Sequence, residues 1–255
     1  MCAQGLRLAN DQSVYNDLVC ISKRRVFFGH QSVGASILRE IRRLAEDLHV
    51  ESISFVDIGG LPRAGDPFFA DAAIGENHYP IEKCRDFSGK VSMICQHGVD
   101  AAIMKFCYSD IMRESDAEEI FRNYSATIDS LRKEHPAVRI IPATIPVTVG
   151  TGRIPGFGNR LLGRTGNLDM GNVRRSEFND RVRAYFHDED IYDVARAMSL
   201  DPNGIPKSVS FENRNIPKMF DGYAEADGCH LNSLGAYNAA VELIHVLGKS
   251  FAPGQ

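Results

Sequence analysis

Hydrophobic and polar positions follow two different periods along this chain. Short apolar runs are separated by longer segments whose apolar residues recur every three or four positions. Residues 25–29 (RVFFG) form the first run and predict a strand. Residues 34–48 predict a helix, with Ile37, Leu38, Ile41, Leu44, Ala45 and Leu48 on one face. Residues 50–58 read as a second strand, rich in β-branched side chains. Residues 59–79 carry many Gly, Pro, Asp and Asn and read as a loop, and 80–87 as a short helix. Residues 101–107 (AAIMKFC) are apolar enough for a strand buried on both faces. A helix over 116–135 places Ile120, Tyr124, Ile128 and Leu131 together and stops at Pro136. A fourth strand over 138–147 (VRIIPATIPV), a helix over 168–187, a short fifth strand over 190–194 and an apolar helix over 234–248 complete the series.

Strands alternating with helices imply a parallel sheet, because each parallel connection needs a crossover that lays a helix on a face of the sheet. No internal repeat or low-complexity linker interrupts the series. The expectation is one α/β domain spanning residues 1–255, a three-layer α/β/α sandwich on a five-stranded, mostly parallel sheet. Its binding crevice belongs at the carboxyl ends of the strands.

Composition narrows the partners. Of 255 residues 44% are hydrophobic and 24% charged, ordinary for a globular protein. A net charge of −4 and a pI of about 6.1 give no basic footprint for nucleic acid, so a small-molecule ligand is the expected partner. No apolar run approaches the ~18 residues of a membrane span. The N-terminal stretch MCAQGLRLANDQSVYND lacks the basic-then-apolar order of a signal peptide, so a cytoplasmic location is expected. Six cysteines are scattered without a CxxC pair, which favours a reducing compartment and offers no zinc-ribbon spacing. Nothing in the sequence speaks to oligomeric state.

Two short stretches carry chemistry. Residues 26–37 read VFFGHQSVGASI, a strand that turns sharply into a helix with Ser32 at the corner. A serine there is commonly a helix N-cap; it is also well placed to be a nucleophile beside a helix N-terminus that stabilises an oxyanion. Near the other end, residues 227–232 read DGCHLN just before the last helix. Asp227 can accept from Nδ1–H of His230 and fix its tautomer, leaving Nε2 free to take a proton from a hydroxyl.

Together these stretches resemble the SGNH (GDSL-like) hydrolase superfamily, in a divergent branch with GHQS where the family usually has GDS. The resemblance runs over residues 25–249. It implies a flavodoxin-like fold, no cofactor and no metal, and a triad of Ser32 as nucleophile, Asp227 as orienting acid and His230 as base. It also implies hydrolysis, or transfer, of small O-acyl ester groups, O-acetyl groups of carbohydrate among them. The chain departs from the family in two places. GHQS is one residue longer than GDS, and the third block, usually GxND, reads FCYSD over 106–110, with Ser109 in the asparagine's place. The oxyanion-hole candidates are the Ser32 and Gly34 amides at the helix start, together with Gly75, Asn77 and Ser109, with Gly59 and Gly60 as further choices for the second block's glycine.

Other residues have plainer expectations. His30 is expected to pack or orient the turn. Lys105, inside an apolar strand, is expected to snorkel or to pair with a carboxylate. The segment 149–166, with six glycines and three arginines, lacks the strand–turn–helix order of a dinucleotide site. It reads as a loop over the site offering Arg153, Arg160 and Arg164 to an anionic substrate, or as a solvated loop without a role. Two other functions compete with the hydrolase: a metal-dependent hydrolase using His30, His78, His97 and His230, and a binding module whose SGNH site is degenerate.

Overall fold

Neighbouring residues of the first strand point into different cores. Val26 and Phe28 pack into one hydrophobic cluster and Phe27 into another, as the period-two alternation of a strand requires. The structure is a computed structural model that describes residues 2–50, 52–150, 167–186 and 191–252. In chain order its elements are α1 (Cys2–Ile21), β1 (Arg25–His30), α2 (Val33–Asp47), β2 (Phe55–Asp57), β3 (Phe68–Ala73), α3 (Pro80–Ile94), β4 (Ala101–Met104), α4 (Ala117–Glu134), β5 (Arg139–Pro142), α5 (Asn167–Tyr185), α6 (Val194–Ser199), β6 (Ser208–Phe211), β7 (Arg214–Pro217) and α7 (Ser233–Ser250).

Five strands form one sheet in the order β2-β3-β1-β4-β5, and every neighbouring pair is parallel. One face carries Phe28, Phe69, Ile103 and Ile141 against Leu18 of α1, Ile37 and Ile41 of α2, and Leu243 and Ile244 of α7. The opposite face carries Phe27, Phe68, Met104 and Ile140 against Phe87 of α3, Ile128 of α4 and Phe178 of α5. The α/β/α layering expected from the sequence is therefore present. From β1 at the centre the chain builds β2 and β3 on one side, then β4 and β5 on the other. Such a reversal opens a crevice at the carboxyl end of the central strand, where Ser32 stands.

The membership of the sheet differs from the expectation. β3 lies inside the segment read as a loop. Its Asp71 breaks the apolar run FFADAAI, yet the carboxylate is accommodated because His30 Nε2 (3.2 Å) and Arg42 (3.6 Å) meet it. The expected fifth strand over 190–194 reduces, in its described residues, to one parallel bridge between Ala143 and Tyr192. β5 stops at Pro142, well short of residue 147. Beyond it, side-chain amides replace strand pairing. Asn179 accepts from Ile145 N (2.7 Å) and donates to Ile145 O (3.0 Å), and Asn172 does the same for Thr148 at 3.0 and 2.8 Å. Four further elements had no expectation: α1, which docks Val14, Leu18 and Ile21 at helical spacing, the short helix α6, and the two strands of the antiparallel β6–β7 hairpin. Glu212 and Asn213 close that hairpin with φ of 45° and 62°, the left-handed pair a two-residue turn needs. Among the described residues no helix is long and apolar enough to cross a membrane.

Candidate active site

The corner between β1 and α2 is made by Gln31 and Ser32. Ser32 adopts φ 46° and ψ −105°, a region residues with side chains rarely occupy, at a cost of about 1–3 kcal/mol. A serine held this way on a strand–turn–helix corner projects its hydroxyl away from the sheet edge. Several contacts hold the turn. Ile74 N donates to His30 O (3.1 Å), and the Gln31 side-chain amide donates to Gly75 O (2.6 Å) and Ile74 O (3.3 Å). Gly34 N donates to Gln31 O (3.0 Å). Gly34 is required by packing: a Cβ there would lie 2.4 Å from the His30 Cβ. His30 is buried beneath the turn, 4.8 Å from the Phe28 ring, with Nε2 toward Asp71; its Nδ1 has no partner among the described residues.

The second stretch folds as a self-bonded loop. Asp227 Oδ1 accepts from the backbone N of Cys229 (2.8 Å) and of His230 (2.9 Å). Gly228 takes φ 73°, and Val149 N donates to Gly228 O (3.0 Å), so the loop is also tied to the chain beyond β5. Asn232 caps α7 by accepting from Gly235 N (3.0 Å). This loop brings His230 to the corner: Ser32 Oγ lies 2.9 Å from His230 Nε2, and His230 Nδ1 lies 2.5 Å from Asp227 Oδ2. Asp227, acceptor-only when ionised, assigns the proton to Nδ1 and leaves the Nε2 lone pair for the Ser32 hydroxyl. Burial pushes the Asp227 carboxyl up, but the hydrogen bonds from the His230 backbone and ring and from Cys229 outweigh it and hold it at about 2. The Tyr108 ring stands edge-on to His230 at 6.0 Å. The imidazole is half-exposed, so a ligand has access to it.

The oxyanion candidates separate by what their polar groups already do. The Gly34 amide is bonded to Gln31 O, and the Gly75 amide donates to Asp86 Oδ2 (2.7 Å). Ser109 is buried, and its Oγ has no partner among the described residues. Asn77 Oδ1 accepts from Lys83 Nζ (2.8 Å). A lysine can only donate, so this contact fixes the amide orientation and turns the Asn77 NH2 the other way. Lys83 is itself held by Asp110 Oδ2 (2.7 Å), both side chains fully buried. Asp110 also accepts from His78 N (2.9 Å) and Cys107 N (2.7 Å), joining the loop after β3 to the turn after β4. The Ser32 amide, by contrast, donates to nothing among the described residues.

Several supporting residues carry no isolated sequence signal. Lys83 and Gln31 read as surface residues of a helix and a turn; only the burial of their surroundings makes them structural. Arg175 is fully buried on α5 and donates to Tyr108 O (3.0 Å), Ile111 O (3.0 Å) and Thr148 Oγ1 (3.0 Å), bracing the segment that carries Tyr108. Lys105 does not snorkel: it is 0% exposed, and its Nζ donates to Phe106 O (3.0 Å) and Gln31 O (3.4 Å). Arg153, Arg160 and Arg164 lie outside the described residues. Of the histidines of the metal reading, His97 lies just before β4, at the amino end of that strand and away from Ser32. Among the described residues no three His, Cys, Asp or Glu side chains are grouped to hold a metal ion.

No protein-family model matches the chain, and no curated protein matches it. Among solved structures, the chain is similar to a protein provisionally named a platelet activating factor from Streptococcus pneumonia, at 14% identity and a TM-score of 0.49, over 96% of this chain and 95% of that one. It is also similar to a protein provisionally named a lipolytic protein of the G-D-S-L family from Desulfitobacterium hafniense, at 10% identity and a TM-score of 0.46, over 88% of this chain and 99% of that one.

Proposed function

We propose that the chain is a serine hydrolase of small O-acyl esters, with Ser32 as nucleophile, His230 as general base and Asp227 as the group that orients the imidazole. The observation that carries this is the hydrogen-bonded line from Ser32 Oγ through His230 to Asp227, at 2.9 and 2.5 Å. A serine hydroxyl is a weak nucleophile at neutral pH and needs such a base within reach.

The chemistry follows from those contacts. Ser32 Oγ attacks the ester carbonyl as its proton passes to His230 Nε2. The carbonyl oxygen becomes an oxyanion, for which the Ser32 N–H and the NH2 of Asn77 are the available donors. Collapse of this intermediate breaks the bond to the alcohol oxygen, which takes the proton from His230 and leaves. Water then repeats the sequence on the acyl-enzyme. Asp227 stays ionised throughout and stabilises the imidazolium. An alcohol in place of water gives acyl transfer by the same groups. The resemblance to SGNH hydrolases supports small acyl groups, carbohydrate O-acetyl esters included, as the substrate class.

A fluorophosphonate probe tests the reading. The wild type is expected to be labelled and Ser32→Ala is not. His230→Ala is expected to lower turnover of a p-nitrophenyl ester by about 10⁴-fold or more while remaining folded. Survival of turnover within tenfold would remove His230 from the mechanism.

A further inference from the structure

We infer that Lys105 is a positioning residue for this chemistry: its buried ammonium, bonded to the Gln31 carbonyl, polarises the peptide group that carries the Ser32 N–H and so strengthens that N–H as a donor to the oxyanion. The inference rests on the proposed hydrolase function.

Lys105 stands where an apolar residue would be expected to serve the fold better. Burying an ammonium costs several kcal/mol unless it is paired. Among the described residues Lys105 has no carboxylate within ion-pair distance; the nearby Asp110 is bonded to Lys83. Lys83 also adds a like charge from α3. The Lys105 ammonium instead meets two backbone carbonyls, Phe106 O at 3.0 Å and Gln31 O at 3.4 Å.

Gln31 O is an informative target. The Gln31 C=O and the Ser32 N–H are the two ends of one peptide group. Gly34 N already donates to that carbonyl at 3.0 Å, so the ammonium is its second donor. Donors on a carbonyl draw charge from the amide and make its N–H a stronger hydrogen-bond donor, and more so where water is excluded. The Ser32 N–H meets no acceptor among the described residues, which leaves it to whatever charge develops at Ser32. Lys105 touches no reacting atom in this scheme; it acts through the peptide.

A second consequence separates this role from simple packing. Burial pushes the Lys105 ammonium down to about 8, with Lys83 acting in the same direction and Cys107 and Asp110 opposing. A lysine is charged below its pKa. The polarisation is therefore present at neutral pH and lost as pH rises through about 8.

The experiment uses the full chain, p-nitrophenyl acetate as substrate, and Lys105→Met and Lys105→Gln. In Lys105→Met, kcat is expected to fall about 10- to 100-fold, less than the loss of a whole oxyanion donor, with KM changed less than about threefold. The wild type is expected to lose kcat as pH rises from about 8 to 9.5, and Lys105→Met lacks that limb. Lys105→Gln, a donor without charge, falls between the two and serves the same readouts should Lys105→Met not fold. A kcat within twofold of wild type in the folded variant, or an unchanged alkaline limb, overturns the inference while wild-type labelling at Ser32 leaves the hydrolase reading standing. Absence of wild-type labelling overturns both.

Discussion

Ser32 is the residue on which the most is concentrated. Its φ of 46° is unfavourable for any side chain, yet the turn is held by bonds from Ile74, Gln31 and Gly34 that leave it little alternative. Strain of this kind is kept where a site needs one conformation, and it should be measurable as stability. Ser32→Gly is expected to be more stable than Ser32→Ala by about 1 kcal/mol, since both lack the hydroxyl but only glycine accepts the backbone without strain. Denaturant unfolding of the two variants measures the difference, and an alanine variant as stable as the glycine one would mean that the corner is relaxed. Ser32, Asp227 and His230 were legible in the sequence because each sits in a short stretch whose order is meaningful by itself. Lys83, Lys105 and Gln31 were not, because a polar residue declares a role only when its surroundings are known to be dry.

At the scale of elements, the site is assembled from the ends of three neighbouring strands and from the loop before α7, which supplies Asp227 and His230. β1 supplies the corner, the loop after β3 supplies Gly75 and Asn77, and the turn after β4 supplies Lys105, Tyr108 and Asp110. The Lys83–Asp110 pair bonds the last two segments together from α3. Removing one partner of a buried pair leaves the other charge uncompensated, so Lys83→Met and Asp110→Asn are each expected to destabilise by about 3–5 kcal/mol. The double variant should lose clearly less than the sum, as a double-mutant cycle in urea would report. Additive losses would show that the two side chains do not act as a pair. The same scale explains what the pattern of residues missed. β3 was hidden because Asp71 interrupts its apolar run, and the partners that neutralise the interruption, His30 and Arg42, come from other elements. Residues 190–194 look like a strand because Ile191 and Tyr192 are buried, but Tyr192 makes a single bridge to Ala143 beyond β5.

For the whole molecule, ion pairs at opposite ends of the sheet contribute to the response to acid, together with Asp227 of the site. Asp100 bonds the Arg25 guanidinium and backbone at the amino ends of β1 and β4; burial pushes its carboxyl up, but Arg25 outweighs this and leaves it below the usual carboxylate value. Asp193 at the start of α6 is likewise raised by burial and brought below its usual value by Arg183 of α5, with help from Arg196 N and Thr144. A carboxyl held lower in the folded state than in the unfolded chain stabilises fully above the unfolded value, near 3.9, and that stability is lost as pH falls through the folded value. The urea midpoint is thus expected to hold from pH 7 to about 5 and to fall below about 4, with a shallower fall in Asp193→Asn. An identical acid slope in that variant would place the acid response elsewhere. The parallel α/β/α layering was readable at this scale because period-two and period-3.6 patterns alternate along the chain, whatever the errors in single strands.

In the proposed reaction Ser32 is a nucleophile activated by His230. This activation is tested most directly by the site and rate of covalent modification with a fluorophosphonate, read by peptide mass. A single adduct on Ser32 is expected in the wild type, formed at least about 100-fold more slowly in His230→Ala. An adduct on another residue, or modification of Ser32 at the wild-type rate without His230, would contradict it.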